Sequence, residues 1–75
     1  MAHTFEDLVN LERLAEEAHA AYIASPGNDT RAAWRQAVDA FQDAVIAHAA
    51  AEGTSRIDVE MAAKKAVRHP EPAAS

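Results

Sequence analysis

The sequence predicts an all-α protein: a long antiparallel helical hairpin, a short third helix and a disordered C-terminal tail. Three observations predict it. Apolar residues recur in alternating steps of three and four along two long segments. Those segments are separated by a run of turn-forming residues, Ser25-Pro26-Gly27-Asn28-Asp29-Thr30. A second break at Gly53 is followed by another segment that ends in lysine and arginine, as helices tend to. One domain over residues 4–68 results, with helices at about 5–24, 30–52 and 55–68 and a tail at 69–75.

The first helix opens at Thr4, whose hydroxyl can cap the backbone of Asp7 while Asp7 returns the bond. Glu6 and Asp7 also suit the positive end of the helix dipole. Leu8, Leu11, Ala15, Ala18 and Tyr22 then form one apolar stripe, with Arg13, Glu16, Glu17 and Ala20 away from it. Pro26 has no backbone donor and biases Ser25 out of the helical region, so the helix stops there. Asn28, Asp29 and Thr30 can each cap a restart, placed at about Thr30.

The second helix carries the stripe Trp34, Ala37, Val38, Phe41, Ala44, Val45 and His48, and Gly53 suits the residue just past its end. A short loop makes the two helices antiparallel neighbours. Tyr22 then meets Trp34, Ala18 meets Ala37 or Val38, Ala15 meets Phe41, Leu11 meets Val45, and Leu8 meets His48. Large faces small in the middle of this seam, as close packing requires. The third helix is capped by Ser55 with Asp58. Ile57, Val59, Met61 and Val67 make no single stripe along it; Ile57 and Met61 are expected to cover Val9 and Ile46.

Composition narrows the function classes. Of 37 hydrophobic residues, 20 are alanine, leaving 16 larger apolar side chains besides Met1. A core this small commonly relies on a second subunit, a metal or disulfides. The chain has no cysteine, which excludes disulfides and thiolate metal sites. It has no apolar run of membrane-spanning length. No basic, apolar leader is visible at the N-terminus, so a cytoplasmic location is expected, and the alanine content suggests a bacterial source. The net charge is −5, which argues against non-specific nucleic-acid binding.

Several groups are candidates for chemistry. Glu16-x-x-His19 has the helical spacing of a carboxylate–imidazole metal unit, but its solvated face and the lack of a second such unit favour no metal. His48 lies on the apolar stripe, near Glu6 or Asp7, and is the candidate pH-sensitive group. Residues 48–59 have the outline of a helix-turn-helix, with Arg56, Lys64, Lys65 and Arg68 as the alternative nucleic-acid contacts, although Asp58 and Glu60 would repel phosphate. No nucleophile triad or phosphate-binding glycine loop is present, so no catalytic residue and no cofactor is assigned and no enzyme is expected. Leu14, Ile23, Tyr22, Trp34, Val38 and Val45 are the candidate interface, being apolar residues beyond the reach of a short third helix or aromatics beside the loop. The expected function is a protein-interaction module that self-associates into a dimer. The alternative is a DNA-binding or transcription-accessory protein using the third helix.

Overall fold

The computed structural model describes residues 3–68 as three α-helices: α1 (Phe5–Ala24), α2 (Asn28–Glu52) and α3 (Arg56–Arg68). The chain is all-α, a hairpin with a short third helix. The tail expected at 69–75 lies outside the described residues.

Local chemistry sets the helix ends. Thr4 Oγ1 accepts from the Asp7 N–H at 3.1 Å, and Asp7 Oδ2 accepts from the Thr4 N–H at 3.1 Å, completing the capping box. α2 starts two residues before the expected Thr30. Its N-cap is Gly27, which offers no side-chain oxygen. Thr30 instead donates its hydroxyl to the carbonyls of Ser25 (2.9 Å) and Gly27 (3.2 Å), so it ties the loop rather than capping the helix. α2 ends at Gly53, which takes φ +64 and ψ 36, a left-handed conformation that an L side chain resists. The Thr54 N–H then bonds the Ala49 carbonyl at 3.0 Å. At the start of α3 the Asp58 N–H donates to Ser55 Oγ at 3.4 Å.

The core is one cluster to which all three helices contribute. Leu8, Phe41, Ala44, Val45, Ala49, Val59 and Ala63 are buried, and Leu11 packs against them. Phe41, Leu8 and Val45 are the largest side chains fully withdrawn from water. Each is worth roughly 1.5–3 kcal/mol in transfer free energy. Val45 is therefore a core residue and not a candidate interface residue. It belongs to the cluster that α3 completes, so a position expected opposite Leu11 yet to one side of the seam is fully covered.

The packing of α3 also differs from expectation. Val59 and Ala63 are its buried pair, while Ile57 and Met61 are each 64% exposed. Residues two apart on a helix lie about 200° apart, so burying Val59 and Ala63 turns Ile57 and Met61 to the opposite side. They do not cover Ile46, which stays 48% exposed. Ala63, fully buried, lets α3 approach the hairpin closely.

Candidate functional site

The short third helix creates the most distinctive surface of the molecule. α3 has 13 residues and α2 has 25, corresponding to about 20 Å and about 38 Å of helix. Leu8 and Val59 share the core cluster, and further along Glu12 meets Lys64. So α3 runs beside α1 in the same direction and stops part-way. The half of the hairpin nearest the Ser25–Gly27 loop has no third layer over it.

At the end of α3 lies an open depression of about 220 Å³, with Ala15, Glu16 and His19 on the α1 side and Trp34 and Val38 on the α2 side. The Trp34 ring stacks against Tyr22, at 5.5 Å between centroids, and meets His19 at a tilt of 34°, at 4.4 Å. Tyr22 and Trp34 thus meet across the hairpin as the seam requires. Trp34, Tyr22 and Val38 are half-buried, and Ile23 is 64% exposed. A second depression, beside Trp34 and Val38, is edged by Arg31, Arg35 and Asp39.

Glu12 and Lys64 close the lower end of this face. Glu12 is only 3% exposed, and its Oε1 accepts from Lys64 Nζ at 3.4 Å. Lys64 also lies 4.0 Å from Glu60 and sits 5.2 Å from the centre of the Phe41 ring. Burial strips water from the Glu12 carboxyl and raises its pKa above the ordinary 4.5. The Lys64 ammonium lowers it, by less, and neighbouring Glu16 adds to the rise.

Glu12 is the residue that sequence reasoning missed. A glutamate one step from the seam reads as solvated, and its partner stands 52 positions away. The available signal was the stripe Leu8, Glu12, Ala15 and His19, which also alternates steps of four and three and passes through Glu12.

The other candidate residues do not converge. Leu14 is 55% exposed, like Ile23 a free apolar side chain. However, the two are nine residues apart, half a turn out of phase on α1, so they do not form one patch. His48 Nδ1 lies 2.6 Å from the backbone carbonyl of His3, and among the described residues it makes no ion pair with Glu6 or Asp7. A carbonyl accepts from a neutral Nδ1–H ring and from an imidazolium alike, so this bond is compatible with either charge state. Among the described residues no group of three or more histidines and acids is placed to hold a metal ion. His19, from the Glu16-x-x-His19 pair, packs its ring against Trp34.

Of the basic residues of α3, three lie together and one apart. Lys64 is paired with Glu12. Arg56 and Lys65 are nine residues apart and point to opposite sides of the helix. Lys64, Lys65 and Arg68 line one depression with Met61 and Ala62 on the outer side of α3, and Arg56 lies apart from them. No helix among the described residues is long and apolar enough to cross a membrane. Comparison with protein-family models, with curated proteins and with solved structures finds no match to this chain.

Proposed function

We propose that this chain is a small protein-interaction module that self-associates into a dimer through apolar helix surface left uncovered by its own third helix. The observation that carries this reading is the half-covered hairpin. α3 ends beside Glu12 and Glu16, and Trp34, Val38 and Ile23 beyond it have no third layer. Ile57 and Met61 add a second exposed apolar pair on the outer side of α3. Apolar surface of this kind on a small helical domain is the usual mark of an interface. A bacterial, cytoplasmic setting belongs to the same reading, supported by the alanine-rich, cysteine-free composition.

Sedimentation equilibrium over a range of loading concentrations tests it. The expected result is a mass twice the 8.0 kDa of one chain. A folded species of 8.0 kDa that persists at millimolar concentration overturns the reading.

A further inference from the structure

Charge is divided unevenly along this chain. The net charge is −5, yet four of the seven cations, Arg56, Lys64, Lys65 and Arg68, lie on α3. Three of these four, with Met61 and Ala62, line an open depression of about 430 Å³ on the outer side of that helix. Positions 61, 64, 65 and 68 follow the three- and four-residue steps of one helix face. Ile57 continues the face one turn earlier, and Ile57 and Met61 are each 64% exposed. The face is therefore apolar toward the start of α3 and cationic toward its end, over about 17 Å of helix. Lys64 has carboxylate partners in Glu12 and Glu60, whereas Lys65 and Arg68 have no ion-pair partner among the described residues. Cations in a last turn suit the helix dipole, but the dipole gives no reason for two large apolar side chains beside them.

We propose that the outer side of α3 docks an amphipathic helix of another protein, acidic in its first turn and carrying two large apolar side chains behind it. This surface is separate from the open half of the hairpin, and the proposal goes beyond the self-association described above. The docked helix runs antiparallel to α3. Its acidic start meets Lys65 and Arg68, and its apolar pair covers Met61 and Ile57. In that sense the negative end of the α3 dipole also faces the positive end of the partner's, so dipoles and side-chain charges favour the same direction.

Charge complementarity selects this occupant over an extended polyanion. Salt screens exposed charges beyond about 8 Å at physiological ionic strength, so a short segment on α3 senses mainly the cations of α3. A nucleic-acid duplex or an anionic membrane spreads further and meets the rest of the chain. α3 alone carries +2, so the rest carries −7 and repels such a surface. Asp58 lies at the apolar end of the face, where it repels phosphate and where the docked helix has no charge. Ile57 and Met61 gain nothing from phosphate, whereas apolar anchors one turn apart are what a docked amphipathic helix supplies.

Fluorescence anisotropy with labelled synthetic helices tests the proposal. The probe carries glutamates in its first turn and two leucines one turn apart behind them. One control replaces the glutamates with glutamine, and a second moves them to the last turn. The probe is expected to bind saturably and about tenfold more tightly than either control, a preference that high salt removes. Lys65→Glu combined with Arg68→Glu is expected to weaken binding at least about tenfold, and Met61→Ser roughly tenfold. Arg13→Glu, which reverses a cation on α1, is expected to change affinity less than about twofold. Positions 61, 65 and 68 are exposed, so circular dichroism should show these variants as helical as the wild type. Absence of saturable binding overturns the proposal. So does equal binding of either control, or unchanged affinity in the Lys65→Glu, Arg68→Glu variant. Tighter binding of duplex DNA or of phosphatidylserine vesicles than of the probe assigns the face to a polyanion and overturns it as well. None of these readouts depends on self-association, which sedimentation tests separately.

Discussion

Replacing Lys64 with methionine keeps the aliphatic chain beside Phe41 and removes only the charge that faces Glu12. Glu12 is 3% exposed, so the change strands a carboxylate among apolar neighbours. An unpaired buried polar group costs about 1–3 kcal/mol, and more when it is charged and sealed. Glu12 lines the open depression, so water can return to it. The expected loss is therefore about 1–2 kcal/mol at pH 7, below the figure for a sealed ion pair. Losing the contact to Glu60 adds little, because that pair is solvent-screened.

The pH dependence follows from the direction of the Glu12 shift. Its pKa is above 4.5 in the folded protein, so the folded state holds the proton more tightly than the unfolded state. Stability from this group is thus fully present below about 4.5 and is lost as pH rises through the folded pKa. Lys64 limits that loss, and methionine does not. The deficit of Lys64→Met should be largest at pH 7 and shrink toward zero below pH 4.5, where Glu12 is protonated in both states. Urea unfolding followed by circular dichroism at both pH values measures it, with unchanged m-values confirming that the same unfolding is compared. Adding Glu12→Gln should recover most of the loss at pH 7. An equal deficit at both pH values, or no recovery in the double variant, would refute the reasoning.

Other positions give simpler tests. Gly53→Ala places a side chain at φ +64 and should destabilise by about 1–2 kcal/mol in thermal melts, through backbone strain alone, since no atom lies within 4 Å of the added methyl. Gly27→Asp supplies the missing cap of α2 and should stabilise by roughly 0.5–1 kcal/mol; a loss of stability would show that the cap geometry is misassigned. Phe41→Ala, at 1% exposure, should cost about 3–5 kcal/mol and leave the chain largely unfolded by circular dichroism, an effect that a surface position would not show.

What the sequence revealed and what it concealed divide along physical lines. The Thr4–Asp7 box, the Gly53 terminus and the Tyr22–Trp34 meeting depend on residues close in sequence or on hairpin geometry, and all three were legible. The orientation of α3 was not. Size suggested that Ile57 and Met61 point inward, yet the helix buries Val59 and Ala63, because a small side chain allows close approach to the hairpin. Glu12 was concealed for a different reason. A carboxylate is tolerated inside when a cation meets it there, and Lys64 arrives only through the tertiary fold. Val45 was misjudged with α3, since the helix that covers it was given the wrong face.

These two concealed features have a common cause that can be tested. Turning α3 by half a turn would bury Ile57 and Met61, two larger apolar side chains than Val59 and Ala63. Lys64 and Arg68 lie on the same side of α3 as Ile57 and Met61, so that turn would press both cations against the apolar face of the hairpin. Charge therefore opposes the alternative orientation, because an unpaired cation on apolar surface is costly, while the observed one gives Lys64 a partner in Glu12. Replacing both partners, as Glu12→Leu with Lys64→Leu, should leave stability equal or higher by up to about 4 kcal/mol. It should also release the constraint on orientation. Because the chain has no cysteine, Met61→Cys provides a single thiol to report it. In the wild-type background that thiol should react rapidly with a labelling reagent under monomeric conditions. In the double-leucine background it should react more slowly, as α3 turns to bury position 61. Equal labelling rates in the two backgrounds would show that Ala63 alone holds α3 in place.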